Sequence, residues 1–500
     1  MKSNAKHPKE IKSKDEIINS NIAVYFNSAS VSLFIELHAA VVKDLLSRNN
    51  KITVYLCDKS FKSPMDNPFN RVFLNSYRIF RAKDAIKDLD VKLKIIDLSK
   101  ISDAVSKKTA TALEIGVMSS FASMLKAQSK EELPPKWLRA YNNMFSSAKK
   151  LYNYFIYELK NEDYDFVFLF NGRFGCARPV LEATRDLNIG FGLYEMKILS
   201  EVVFVNELRH SIEGNTRKAI AFYEADKEMA EKRAEDFFIK KTQNKYTGEP
   251  IYTKQQRKNS LPEAIENTTK KVIAIYPTTE DEYKFIGKEW DGRVVESQID
   301  EIEKLAACLP PEEYVLVVKM HPNQVFTAEN TTNKYLALAK KYSHVIVEKP
   351  LSKKNSYALM YRADVVVVFA SSMGVEACYA GKPVVLIGDT NWGNLDIAHK
   401  VYSGKEAGKI IKEGIKPKPV LGAIIWGNYL IGYKDNLPEF KFAGKGNYLV
   451  SGRKIGKSTI RRILQLPAKL EIYVNSPGFY LNAQFFQKIF YTISQIIKRR

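Results

Sequence analysis

Residues 364–388 read DVVVVFASSMGVEACYAGKPVVLIG, and this stretch decides the fold. Four consecutive β-branched residues, Val365 to Val368, form the kind of continuous apolar run that a strand buried on both faces of a parallel sheet requires. Ser371 and Ser372 follow, then a short helical segment carrying Glu376, then Gly381, Pro383 and a second strand, VVLIG. Strand, turn, helix and strand in this order predict an open, doubly wound α/β sheet.

A strand that runs into small hydroxyl residues at a helix start is suited to phosphate. First-turn amides have no partner within the helix, and the macrodipole favours an anion there. Glu376 lies one turn further on, where its carboxylate could take the two hydroxyls of a ribose, so the pattern points to a nucleotide. The competing reading is an ordinary strand-turn-helix with Ser372 as N-cap and Glu376 as a solvated first-turn acid. Upstream, YVLVVKM (314–320) is another apolar run that ends directly at His321 and Pro322. Ligands of open α/β sheets bind beyond the carboxyl ends of the strands, so His321 and the Ser371/Ser372 turn are expected to share one crevice.

KMHPN, followed about fifty residues later by SSMGVEACYAGKPVVLIG, resembles the carboxyl-terminal half of bacterial two-domain (GT-B) glycosyltransferases of capsule and surface polysaccharide synthesis. NGRFGCARPVLEA (171–183) and TTEDEYKFIGKEW (278–290) extend the resemblance. Similar His-Pro and paired-hydroxyl motifs occur in sialyltransferases, in Kdo transferases and in CDP-glycerol polymerases, where they hold the donor nucleotide. The resemblance implies two Rossmann-type domains facing a cleft, a nucleotide-sugar co-substrate and a polysaccharide or glycolipid acceptor. It places a cytidine-linked acidic sugar first among the donors. A CDP-glycerol-type phosphotransferase, a UDP-sugar epimerase and a non-catalytic assembly or export component stay open on the same scaffold.

The rest of the chain fits a large folded enzyme. Its 500 residues suggest two to three domains, and 45% hydrophobic with 12% aromatic residues is ample for sizeable cores. Cys57, Cys176, Cys308 and Cys378 are scattered without a CxxC pair, which speaks against zinc and a disulfide framework. The first twenty residues are charged and lack a signal-peptide core, and no apolar run is long enough to span a membrane, so a cytoplasmic location is expected. Against 56 acidic residues stand 77 Lys and Arg, a formal charge of +21. Without a nucleic-acid-binding motif, that excess suggests an anionic membrane surface rather than nucleic acid. The last segment, LNAQFFQKIFYTISQIIKRR (481–500), adds an apolar helical stripe ending in Lys498, Arg499 and Arg500. It suits either an interfacial anchor on the inner face of the membrane or a closing helix that crosses back to the first domain.

Five segments are expected: a charged tail over 1–20, a Rossmann-like acceptor domain over 21–240, a linker over 241–271, a nucleotide-sugar domain over 272–465, and a terminal helix over 466–500. SGRKIGKST (451–459) ends like a phosphate-binding loop, but Ser451 stands where the pattern needs glycine, so ATP hydrolysis is set aside.

Sugar transfer from a nucleotide needs a clamp for the leaving phosphate and a base for the acceptor hydroxyl. His321, Lys319, Ser371 and Ser372 are the clamp candidates, although Lys319 as a strand residue could point away from the crevice. Across the cleft, Glu195 at a strand end is a candidate base or, in a retaining enzyme, nucleophile. Arg173 is a candidate partner for a substrate carboxylate. Asp281 and Glu282 are rival acids, and His210 ranks below them. No DxD-type metal motif is present, and a cationic clamp would make a divalent metal dispensable.

Overall fold

The computed structural model describes residues 13–27, 32–70, 72–196, 201–245, 253–280, 283–287, 290, 293–327, 329–435, 437, 440–442, 448–450 and 453–455. The first sheet is built from β1 (Asn21–Tyr25), β2 (Lys51–Cys57), β3 (Lys92–Ile96), β4 (Phe166–Phe170), β5 (Gly190–Met196) and β6 (Glu201–Val205). The second contains β7 (Lys271–Tyr276), β8 (Tyr314–Lys319), β9 (Val345–Glu348), β10 (Val365–Val368), β11 (Val384–Ile387) and β12 (His399–Val401). In space the orders are β3-β2-β1-β4-β5-β6 and β12-β11-β10-β7-β8-β9. Each is the doubly wound 3-2-1-4-5-6 order, so each sheet has a switch point between its first and fourth strands. All neighbours are parallel except β5 and β6, where Gly192 pairs with Val205 in an antiparallel edge.

The apolar runs behave as strands buried on both faces should. Val365 to Val368 are all buried, alternate residues going to opposite cores: Val366 and Val368 to one, Val365 and Val367 to the other. The first sheet likewise separates two cores, with Ala23 and Tyr25 on one side and Ile22 and Val24 on the other. Helices Lys107–Leu125 and Pro135–Asn161 lie on either side of the break expected at Pro134 and Pro135.

Two expected boundaries move. Helices Ile212–Glu224 and Lys227–Thr242 were assigned to the first domain, yet Ala219, Tyr223, Phe237 and Phe238 are buried in the same core as Val368 and Trp426. The physical reason is helix Leu421–Gly432, which packs against both; Tyr429 donates its hydroxyl to Asn215 Oδ1 at 3.1 Å. The second domain also ends well before 465. From Tyr433 the chain returns to the first domain, where Val203 N donates to Asp435 Oδ2 at 2.7 Å, and Leu437 and Phe440 enter the core that holds Ile22.

Beyond that return, β13 (Phe440–Phe442), β14 (Tyr448–Val450) and β15 (Arg453–Ile455) form a small antiparallel sheet. The stretch resembling a phosphate loop therefore begins in a hairpin, with Val450 opposite Arg453. The stripe at 481–500 and the acids Asp281 and Glu282 lie outside the described residues. None of the described helices is long and apolar enough to cross a membrane.

Candidate active site

Beyond the carboxyl ends of β7, β8 and β10 lies an open pocket of about 720 Å³, counting the solvent at its mouth. Tyr276 and Pro277 line it from the end of β7, Lys319 to Pro322 from β8, and Ser371, Ser372, Met373 and Glu376 from the turn and helix after β10. It sits at the switch point of the second sheet, where the topology leaves a crevice. His321, Lys319, Ser371, Ser372 and Glu376 all reach this one pocket.

Glu376 is buried rather than solvated, at 6% exposure, and three groups hold it. Tyr357 donates its hydroxyl to Oε2, Ser372 donates to Oε1 at 3.1 Å, and the Lys241 ammonium lies 3.6 Å from Oε1. Tyr357 and Lys241 escaped the sequence reading because they come from helices Ser356–Arg362 and Lys227–Thr242, distant in sequence. A buried carboxylate needs such partners, and that need was the only signal that could have prompted a search for them.

The phosphate cradle is tighter than expected. Helix Met373–Tyr379 has seven residues, and its first amides are already engaged: Met373 N with Ser371 Oγ, Gly374 N with Ser371 O and Val375 N with Ser372 O. Ser372 occupies the N-cap position, but its hydroxyl serves Glu376 instead of a helix amide. Phosphate recognition here therefore falls to side chains more than to the helix terminus. The preceding Ala370 has φ 112°, a left-handed backbone that a residue with a Cβ adopts only under strain.

Lys319 does point into the crevice. It is 4% exposed, and its ammonium donates to Ser352 O at 3.3 Å. Burial brings the amine down to about 8, against an opposing pull from Glu348. His321 has a structural task that its strand-end position did not reveal. It N-caps the turn Pro322–Phe326, with Nδ1 accepting from Asn323 N at 3.1 Å and its own amide donating to Gln324 Oε1 at 2.8 Å. Burial, aided by the charge of Lys126 from the first domain, pushes the imidazole down to about 4. His321 is therefore neutral near pH 7, and since Nδ1 accepts, its proton sits on Nε2. It is a hydrogen-bond donor, not a cation.

At the carboxyl end of the first sheet, Glu195 accepts from Asn171 Nδ2 and Met196 N, and lies 3.4 Å from Arg209 Nε. Asn171 at φ 64° and Gly172 at φ 77° form the left-handed turn after β4 that aims the Asn171 amide at it. Arg209 also lies 3.0 Å from His210 Nε2, and burial, then the charges of Arg209 and Arg173, hold that imidazole well below its ordinary value. Arg173 itself bonds Ser123 Oγ at 3.1 Å and stacks over Phe174, so its own domain already holds it. Arg209 is the cation the sequence reading missed.

The loop after β7 ties the two sheet edges together. Trp290 Nε1 donates to His210 O at 3.1 Å, and Arg178 Nη1 donates to Ile286 O at 2.9 Å. Among the described residues, no group of three or more His, Cys, Asp or Glu is placed to hold a metal ion.

Two consequences are measurable. Asparagine can replace the capping acceptor of His321 but not its Nε2 proton. His321→Asn should therefore change stability by less than about 1 kcal/mol while turnover falls roughly tenfold or more; loss of stability without loss of turnover would assign His321 to the cap alone. For Lys319, a bound phosphate stabilises the ammonium and raises its pKa, so affinity should be level below pH 8 and decline above it as the unliganded amine loses its proton. Calorimetry should show proton uptake on nucleotide binding near pH 8, absent in Lys319→Met.

Residues 209–395 match the family model described as "Capsule polysaccharide biosynthesis protein". No curated protein matches the chain. Solved structures with a loosely similar course include Thermosulfurimonas dismutans KpsC, a β-Kdo 2,7 transferase, at 15% identity over 63% of this chain and 88% of that one, TM-score 0.36. Acinetobacter baumannii MurG matches at 11% identity over 82% and 94%, TM-score 0.27. A putative UDP-N-acetylglucosamine 2-epimerase from Listeria monocytogenes matches at 12% over 82% and 94%, TM-score 0.25. Likenesses this loose bear on no individual residue. Every residue lining the pocket lies inside the matched segment. The segment that builds the pocket is thus a capsule polysaccharide biosynthesis segment, carried on a GT-B-type scaffold of two doubly wound domains.

Proposed function

We propose that the protein is a glycosyltransferase that moves a sugar from a nucleotide-sugar donor to a growing capsular or surface polysaccharide. The observation that carries this reading is the switch-point pocket, which gathers Lys319, His321 and the ribose-competent carboxylate of Glu376 within the capsule-family segment. The nucleotide occupies the pocket with its phosphate toward Lys319 and His321, and Lys241 balances Glu376. As the bond between sugar and phosphate breaks, negative charge grows on the phosphate, and an ammonium and an Nε2–H fixed in a half-dry site stabilise it. Glu195, oriented by Asn171 and Arg209, takes the proton from the acceptor hydroxyl. A cytidine-linked acidic sugar is the first donor to try, and the clamp as proposed works without a divalent metal.

A thermal-shift series with CMP, CDP, UDP and GDP tests the first half. A nucleotide present at 100 times its Kd adds about 2.7 kcal/mol of apparent stability, so one member should raise the melting temperature by several degrees. Glu195→Gln should keep that response while transfer to a polysaccharide acceptor slows about a hundredfold. No response to any of the four nucleotides would remove the donor assignment, and wild-type transfer in the variant would remove Glu195.

The protein is further proposed to work against an anionic membrane, a reading supported by its charge of +21 and the basic stripe at 481–500. Cosedimentation with phosphatidylserine-containing vesicles should be strong at low salt, weaken as salt rises, and be lost on deleting 481–500 with melting unchanged. A truncation that melts lower without altering vesicle binding would identify the stripe as a packed closing helix.

A further inference from the structure

A second cavity, about 350 Å³, opens beside the nucleotide pocket at the same sheet edge. The two share their strand ends: Pro277 lines the first and Thr278 the second, while after β10 Ser371 lines the first and Phe369 the second. Glu280, Asp389 and the ring of Tyr283 complete the polar and aromatic parts of the lining.

Its surroundings carry hydrogen-bonding capacity that the protein leaves unused. Thr279, between the lining residues Thr278 and Glu280, is 1% exposed, and its hydroxyl has no hydrogen-bond partner. Just past the lining residue Asp389, Thr390 is fully buried, and Thr390 Oγ1 and Asn391 Oδ1 likewise have none. Three such orphans flanking one small cavity are unusual, because a buried polar atom without a partner costs about 1–3 kcal/mol. Glu280 uses Oε1 to accept from Gln298 N at 3.0 Å, and burial pushes its carboxyl upward against that bond. Asp389 is fixed by Lys400 at 2.9 Å and by Thr390 N, with Gly393 leaving room for Oδ1 where a Cβ would collide at 1.9 Å.

Carboxyl oxygens, hydroxyls and two aromatic rings around a space of this size match the needs of one sugar ring, with hydroxyls on its edge and C–H groups on its faces. A nucleotide base would not need two carboxyl groups, and a phosphate would be repelled by them. We propose that this cavity is the subsite for the glycosyl group of the donor, distinct from the nucleotide pocket and recognising sugar hydroxyls through Glu280 and the Thr279 and Thr390 hydroxyls. The proposal rests on the nucleotide-sugar reading above.

The test compares binding of nucleotide sugars with binding of the matching free nucleotides. Wild type, Glu280→Gln and Thr279→Val are titrated with CMP and UDP, then with CMP-N-acetylneuraminic acid, UDP-N-acetylglucosamine and UDP-glucuronic acid. Glutamine keeps the acceptor for Gln298 N, and valine replaces an orphan hydroxyl by a methyl of similar shape, so both variants should melt at or near the wild-type temperature. At least one nucleotide sugar should bind wild type more tightly than its own nucleotide, and each variant should lose roughly tenfold of that advantage with free-nucleotide affinity unchanged. If Glu280→Gln fails to fold, Thr279→Val decides alone. Nucleotide sugars that bind no better than nucleotides, or variants that weaken both classes equally or neither, overturn the subsite. Wild type that binds no member of either class overturns the transferase reading itself.

Discussion

A carboxylate kept charged inside a protein needs compensation, and Glu376 obtains it from three separate elements. Tyr357, Ser372 and Lys241 converge on it from helix Ser356–Arg362, from the turn after β10 and from helix Lys227–Thr242. A hydrogen bond to a charged group contributes about 1.5–3 kcal/mol, and stripping one partner from a buried pair costs about 3–5 kcal/mol. Such stakes fix where the Lys241 helix must lie. They account for a segment between the sheets in sequence that packs wholly with the second one.

The turn beside it is held from both sides. Ala370 keeps its left-handed φ of 112° at a cost of about 1–3 kcal/mol, which persists only where packing leaves no alternative. Gly374 supplies that packing, since a Cβ there would stand 2.9 Å from Val368 and 3.0 Å from Trp392. The helix is thus pressed onto its own preceding strand, and the hydroxyls of Ser371 and Ser372 are set at the pocket rim with little freedom.

Much of this was legible in the sequence, and the limits of legibility are physical. Runs such as Val365–Val368 and Tyr314–Lys319 announce strands buried on both faces, and their alternation with helices announces a doubly wound sheet. An amphipathic pattern, however, says that a face is buried without saying against what, which is why helices 212–242 were placed with the wrong sheet. The same gap hid Tyr357, Lys241 and Arg209, whose roles exist only through contacts made in three dimensions. The strand-end His321 was visible as a candidate, but its protonation was not. That follows from burial, the Lys126 charge and the amide of Asn323, none of which has a local signal.

That protonation divides the labour of the pocket. A lysine titrating near 8 is charged at neutral pH and attracts a phosphate from the moment it binds, so its pull is felt in the ground state as well as later. A neutral imidazole offers only a dipole to the bound phosphate, and its hydrogen bond strengthens as the leaving oxygen gains charge. Only an interaction that is stronger in the transition state than in the bound state accelerates the chemical step. On the glycosyl-transfer reading, Lys319 therefore contributes chiefly to donor affinity and His321 to turnover. Keeping His321 neutral by burying it beside a lysine of the facing domain makes that contribution depend on the two domains standing together.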